Sequence, residues 1–213
     1  GGELDAGYAV IAGGLLFVLL TGNIEDNFNR VHLFIDSKSG GENVLSGIPQ
    51  YDTSNMSTKL AGMKFDAGFT ADYHIYGSWG GGGFAVNIVD RAGGLSASCG
   101  GDFGIASSGA GTGIQHGFVL GNGIGTTSYL SSAMEFGFNN TNTAGVTAGT
   151  AAANQAAAAA VTTGLEFSVA LADLGNPGVG DLIKIHAAYG NGNNDYHSNQ
   201  VLGGLPAPAV NLG

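Results

Sequence analysis

Histidines and carboxylates are the side chains of this 213-residue chain that could perform acid–base chemistry or bind a metal. The five histidines show no spacing that would pair two of them on one metal ion, so ordinary positions in strands and loops are expected for His32, His74, His116, His186 and His197. The sequence has no G-x-S-x-G, no G-x-x-x-x-G-K-[ST] and no H-E-x-x-H motif. Glu135 and Glu166 could pair across a sheet for glycoside hydrolysis, an alternative that the sequence alone leaves open. The prediction is a protein that is not an enzyme and needs no organic cofactor.

Oxygen-bearing side chains recur at every second position in NGNGNNDYHSN, at Asn191, Asn193 and Asp195. Such a series gathers donors that suit calcium on one side of a loop. The spacing does not fit the twelve-residue calcium loop, and Asn and Asp in turns usually cap backbone groups. Turn caps are therefore the favoured interpretation, with structural calcium as the alternative.

Aromatic side chains could supply a stacking surface for sugar rings. Trp79 is the one tryptophan of the chain and precedes the glycine run 80–83. It could stack on a glycan with Tyr76 nearby, or it could anchor a core or an interface. Carbohydrate sites often clamp the ligand between two tryptophans, and this chain has one. The interpretation of Trp79 as a core or interface anchor is therefore favoured.

Short acceptor patterns for glycosylation are also present. Asn55 lies in Asn-Met-Ser and Asn139 in Asn-Asn-Thr, and Thr143 and Thr147 lie in a Thr-rich tract that reads as exposed. If the protein is extracellular, we expect glycan on these loops.

Composition limits the classes of protein and partner. The 40 glycines and 10 % charged residues exclude a coiled coil or an ordinary helical bundle. A net charge of −10 with six Lys and Arg leaves no basic patch for nucleic acid or for an anionic membrane surface. The apolar run GYAVIAGGLLFVLL is too short to span a membrane and reads better as two strands joined at Gly13-Gly14. Low charge and few lysines are typical of an extracellular bacterial protein, and the single Cys99 is expected to be a small buried apolar residue.

The elements that would position these residues are mostly strands. Alternating apolar residues and frequent glycine-rich turns predict an all-β fold, an antiparallel β-sandwich or jelly roll with long Gly-rich loops. The segment Ala151–Ala160 is the one credible helix of any length, while residues 56–69 could hold a second, shorter one. Residues 13–202 are predicted to form one domain, with an extended strand at 1–12 before it and an extended Pro/Gly tail at 203–213 after it.

The opening segment GGELDAGYAVI alternates in an extended conformation, with Leu4, Ala6, Tyr8 and Val10 on one face. A terminal strand of this kind can pair inside its own domain or complete the sheet of a neighbouring copy. The second possibility would make the protein a structural building block.

Two stretches resemble a known family. LLFVLLTGNIEDNFNRVHLFIDSKSGG and TGLEFSVALADLGNPGVGDLIKIHAAYGN are similar to the opening and closing strands of family-nine carbohydrate-binding modules and related DOMON-like sandwiches. The ending DYHSNQVLGGLPAPAVNLG resembles the C-terminal region of secreted bacterial proteins of the PEP-CTERM type. The resemblance implies a secreted β-sandwich; it does not by itself imply sugar binding.

Two functions follow from these observations. The first is a structural subunit of an extracellular filament or surface assembly, a head-to-tail homopolymer in which residues 1–12 of one copy insert into the next. The second is a secreted carbohydrate-binding module that binds polysaccharide through Trp79 and Tyr76. We expect the first, because the sugar interpretation lacks a second tryptophan.

Overall fold

The protein is an antiparallel β-sandwich, as the sequence predicts. The computed structural model describes residues 2–48, 55–81, 83–91, 95–98, 114–119, 130–142 and 154–202. Within these ranges the strands are β1 (Glu3–Ala12), β2 (Leu15–Asn23), β3 (Arg30–Asp36), β4 (Tyr73–Gly80), β5 (Gly83–Asp90), β6 (Leu95–Ser98), β7 (Ile114–Val119), β8 (Met134–Asn139), β9 (Gly164–Ala170), β10 (Lys184–Gly190) and β11 (His197–Val201). They form a five-stranded sheet of order β1-β2-β9-β8-β7 and a six-stranded sheet of order β11-β10-β3-β4-β5-β6.

A tight hairpin joins β1 to β2. Gly13 and Gly14 have φ angles of +59° and +80°, the pair of positive values that a two-residue type I′ turn requires and that glycine adopts freely. Nine residue pairs run from Glu3 opposite Asn23 to Ala12 opposite Leu15. The strand expected to be donated to a neighbouring copy therefore lies at the outer edge of its own sheet, because its local turn favours pairing within the chain.

The main core lies between the two sheets. Trp79, Phe84 and Phe138 are almost completely buried there, and the Trp79 and Phe138 rings lie 5.2 Å apart. Trp79 is 0 % exposed, so its interpretation as a glycan contact is wrong and the core-anchor alternative is confirmed.

A second core covers the outer face of the six-stranded sheet. Residues 37–72 connect β3 to β4 and include the short helix α1 (Met56–Lys59), which lies in the segment predicted to hold one. Leu45, Met56 and Leu60 from this connection pack on Phe34 and Tyr76 of the sheet. Tyr76 is buried beneath the connection, so the prediction that it contacts a glycan is wrong as well.

The Ala-rich segment contains the second helix, α2 (Gln155–Ala159), which begins after Asn154. The Asn154 side chain accepts a hydrogen bond from the Ala157 amide and so caps the helix. No helix in the described ranges is long and apolar enough to cross a membrane. Cys99, Thr143, Thr147 and the tail 203–213 lie outside the residues that the structure describes.

Candidate ligand-binding groove

A groove opens on the outer face of the six-stranded sheet, between residues 59–69 and the β10–β11 hairpin. Its cavity volume is about 680 Å³, within the range of small-molecule sites. Strand alternation brings His186 and Ala188 of β10 to this face, because the intervening Ala187 points into the main core. We call this feature the β10–β11 groove.

Aromatic rings form one wall of the groove. Phe65 and Phe69 have ring centroids 4.9 Å apart, and His186 meets the edge of Phe65 at 5.6 Å. Tyr196, on the turn between β10 and β11, lines the groove and is 38 % exposed. The wall therefore combines one buried and two partly buried rings that pack on one another with one tyrosine that is open to a ligand.

The β10–β11 turn also places a buried side-chain amide in the lining of the groove. Asn194 has a φ of +58° and is 5 % exposed. Neither its Oδ1 nor its Nδ2 has a hydrogen-bond partner in the described part of the chain. An unpaired buried amide costs roughly 1–3 kcal/mol. Both polar atoms are closed off from solvent, so a ligand that donates and accepts a hydrogen bond would remove this cost once a local shift of the β10–β11 turn exposed them.

The residues considered for calcium build this turn. Asn191 Nδ2 donates to Asp195 Oδ1 at 2.6 Å, and the Asp195 amide donates to Asn191 Oδ1 at 3.2 Å. The backbone N–H of Asn194 also donates to the backbone carbonyl of Asn191 at 3.1 Å, whereas Asn193 is exposed. These contacts are turn caps of the kind favoured above, and they hold Asn194 and Tyr196 at the groove.

Histidines form a column from the groove into the sheet. His32 Nδ1 and His74 Nε2 are 3.1 Å apart, and the His32 ring stacks on His74 at 5.3 Å and on His197 at 5.0 Å. His197 and His186 line the groove, whereas His32 and His74 are fully buried. We call His74, His32 and His197 the histidine column.

Burial keeps these imidazoles neutral. Desolvation, and after it the neighbouring His197 and Arg30, lower the pKa of His32 well below its usual value. Desolvation and then His32 and Arg91 lower the pKa of His74 in the same way. Desolvation also lowers the pKa of His186 and of His197. Neutral imidazoles thus line the groove, and the Nε2 of His197 is closed off from solvent with no hydrogen-bond partner among the described residues.

The described residues contain no group of three or more His, Cys, Asp or Glu arranged to hold a metal ion. Four charged side chains belong to the lining of the groove. They are Lys59, Lys64, Asp66 and Asp195. The arrangement can form hydrogen bonds to hydroxyl groups and can stack on the face of a ring. It is suited to binding.

Strand register explains why sequence spacing missed the histidine column. Phe34 of β3 lies opposite His74 of β4 and His186 of β10, and His32 lies two residues before Phe34 on the same face. Alternation within each strand assigns a histidine to one face of its strand. It does not show that these histidines lie together unless the order of strands in the sheet is known. The side chain of His116 lies outside the described structure.

The other predicted site residues lie away from the groove. Tyr8 and Val10 are exposed on the five-stranded sheet, and Asn55 is exposed before α1. Asn139 Oδ1 accepts a hydrogen bond of 2.7 Å from the Thr141 hydroxyl, and glycosylation at either asparagine stays a prediction. Glu135 and Glu166, on the neighbouring strands β8 and β9, are exposed and line a separate shallow depression.

The sequence matches no protein-family model, and no curated protein or solved structure shows significant similarity to it. The interpretation of the groove therefore depends on its own geometry.

Proposed function

We propose that this protein binds a carbohydrate in the β10–β11 groove. The observation that carries the proposal is the buried Asn194 amide, which lacks hydrogen-bond partners among the described residues and lies in the same groove as the exposed Tyr196 ring. A sugar presents hydroxyl groups that donate and accept, and a flat face of C–H groups that stacks on an aromatic ring. One ligand could satisfy both features.

Two further features favour a sugar over an entirely apolar ligand. His186 and His197 add neutral ring nitrogens to the groove, and Asp66 and Asp195 add carboxylates that accept hydrogen bonds from hydroxyl groups. The volume of about 680 Å³ suits a short oligosaccharide or a segment of a chain. The resemblance to family-nine carbohydrate-binding modules makes a sugar the first ligand class to test, and we include a secreted, extracellular location in the proposal.

We favour carbohydrate binding over assembly through strand insertion because β1 already pairs with β2 in a hairpin. Insertion of residues 1–12 into another copy would first break the nine-pair register with β2, whereas binding in the groove leaves both sheets paired and requires only a local shift of the β10–β11 turn around Asn194. A structural subunit that polymerises by strand donation stays a prediction, and its first step would be the opening of this hairpin.

The test is affinity electrophoresis through gels that contain soluble xylan, β-glucan, mannan or starch, together with pull-down on insoluble cellulose and chitin. We expect retention on at least one of these polysaccharides. Tyr196→Ala and Asn194→Ala should each weaken it by about tenfold or more, since each removes a contact worth about 1.4 kcal/mol or more.

Matched controls separate a site effect from a general one. Asn193→Ala changes the exposed neighbour of Asn194, and Tyr8→Ala changes an exposed tyrosine on the opposite sheet. Both should bind like the wild type. Failure of the wild type to bind any of the six polysaccharides, or equal binding by Tyr196→Ala, would refute the proposal.

A further inference from the structure

The outer edge of β1 carries an uncharged apolar segment. Residues 6–12, AGYAVIA, contain no charged residue and no proline. Tyr8, Val10 and Ile11 are 55 %, 60 % and 53 % exposed. Among the described strands, β1 stands at the end of its sheet and pairs with β2 alone. We call residues 6–12 the β1 edge.

Edge strands in soluble proteins usually carry features that block pairing with another chain, such as a lysine, a proline, a bulge or very short length. The acidic residues of β1, Glu3 and Asp5, precede the β1 edge, and the irregular pairing between Leu4 and Ala6 also lies before it. The seven residues that follow pair regularly with β2 as far as the turn. They are the kind of segment that soluble proteins protect or use for pairing.

Backbone geometry fixes which groups of the β1 edge are available. The two-residue turn at Gly13-Gly14 makes Ala12 and Leu15 the first hydrogen-bonded pair of the hairpin. Because hydrogen-bonded pairs alternate with non-hydrogen-bonded ones, Tyr8 and Val10 direct their N–H and C=O groups toward β2. Gly7, Ala9 and Ile11 direct theirs outward, away from β2.

We propose that the β1 edge pairs antiparallel with the β1 edge of a second copy of this chain, about a two-fold axis through Ala9. In this register Ala9 lies opposite Ala9 of the other copy, and Gly7 lies opposite Ile11. All three outward-facing residues then form hydrogen-bonded pairs. Tyr8 lies opposite Val10 of the other copy, so that two exposed apolar side chains cover each other.

Charge and self-complementarity select a second copy as the occupant. A two-fold axis at Ala9 sets the acidic residues Glu3 and Asp5 beyond the paired segment of the other copy, whereas an axis at Gly7 would place Asp5 opposite Ala9 and Glu3 opposite Ile11. Two chains of net charge −10 repel each other, and the β1 edge is a contact at which no like charges are opposed. The dimer would join two five-stranded sheets into one continuous sheet.

Sedimentation velocity of the wild type across a concentration series tests the proposal. We expect a monomer–dimer equilibrium in which Val10→Lys raises the dissociation constant by at least tenfold, since the two-fold axis sets one lysine from each copy at diagonal positions on the same face of the new sheet. The matched control Val179→Lys alters a fully exposed valine in the loop before β10 and should dimerise like the wild type. A wild type that stays monomeric throughout the series, or a Val10→Lys variant that dimerises normally, would overturn the proposal.

Cross-linking tests the register without relying on a charged substitution. Opposed residues of a hydrogen-bonded antiparallel pair have Cα atoms about 5.5 Å apart, within the range that a disulfide spans. In a Cys99→Ser background, Ala9→Cys should give a covalent dimer on mild oxidation, and Val179→Cys should not. Dimers that form in solution but do not cross-link at position 9 would exclude this register. Neither experiment involves the groove, so its outcome is independent of carbohydrate binding.

Discussion

Replacement of the buried pair His32 and His74 by phenylalanine should reduce the acid sensitivity of this protein. His32 Nδ1 and His74 Nε2 contact each other at 3.1 Å, while His32 Nε2 and His74 Nδ1 have no hydrogen-bond partner among the described residues. His74 also stacks on Phe34 with centroids 4.1 Å apart. The double variant His32→Phe/His74→Phe removes both partners of one hydrogen bond and two unpaired nitrogens, a replacement that is often nearly neutral at pH 7.5.

The expected pH effect follows from the lowered pKa values of the pair. Desolvation lowers the pKa of both histidines well below 6.5, so they stay neutral in the folded protein while the unfolded chain binds protons near pH 6.5. Because the unfolded state then holds more protons, stability is present above pH 6.5 and is lost as the pH falls toward the folded pKa. Between pH 7.5 and 5.5 each histidine should contribute about 1.4 kcal/mol of this loss, and the pair about 3 kcal/mol.

The charged groups that face the pair act in the same direction. Arg30 and His197 lie near His32, and Arg91 lies near His74; each of them disfavours a second positive charge. The histidine pair therefore has no nearby carboxylate among the causes that shift its pKa values.

Urea unfolding at pH 7.5 and 5.5 measures the effect as a difference of two free energies of unfolding. The wild type should lose about 3 kcal/mol more than the double variant between these pH values, and His32→Phe alone should show about half of that difference. Circular dichroism before unfolding checks that each variant is folded at both pH values. Equal losses in the wild type and the double variant would show that the pair is protonated in the folded state, and the argument from burial would fail.

Three further outcomes are expected. Glu42→Ala should lower the free energy of unfolding by about 3 kcal/mol in urea titrations, because it leaves the buried Arg91 guanidinium without the carboxylate it contacts at 2.6 Å; a loss below about 1 kcal/mol would contradict this. Gly14→Ala should cost about 1 kcal/mol or more by the same assay, since its φ of +80° strains any residue with a Cβ, and an unchanged midpoint would argue against the I′ turn. Excess EDTA should leave the melting temperature of metal-loaded protein unchanged, because Asn191 and Asp195 already bond to each other; a fall of several degrees would restore the calcium alternative.

The sequence predicts those parts of the fold that depend on local patterns. Alternation and the Gly13-Gly14 pair predict the β1–β2 hairpin, and continuous apolar runs predict the strands that form the main core. The same local pattern also suggests that residues 1–12 could leave the domain, because alternation alone does not state which strand becomes the partner. Trp79 shows the same ambiguity, since a single tryptophan beside glycines could lie in a core or form an exposed surface on which a sugar ring stacks.

The groove could not be predicted, because it depends on contacts between segments far apart in the chain. Residues 37–72 read as turn formers with one short helix, yet Leu45, Met56 and Leu60 fold back onto the sheet and create a second core. We call residues 37–72 the cover, and the groove forms where the cover ends beside the β10–β11 hairpin. Its aromatic residues, Phe65 and Tyr196, are about 130 positions apart in sequence, and no periodicity links them.

Buried polar contacts hold the cover in place, so the groove is preformed. Arg91 Nη1 donates to the Ser57 hydroxyl at 2.7 Å, while the same guanidinium contacts Glu42. Closer to the groove, the Asn43 side-chain Nδ2 donates to the backbone carbonyl of Phe65 at 3.2 Å and to that of Phe69 at 2.9 Å. These bonds fix the backbone that carries both rings before any ligand arrives, and a ligand that enters a fixed wall loses less free energy to ordering. Changes at Asn43 should therefore weaken carbohydrate binding although Asn43 does not line the groove.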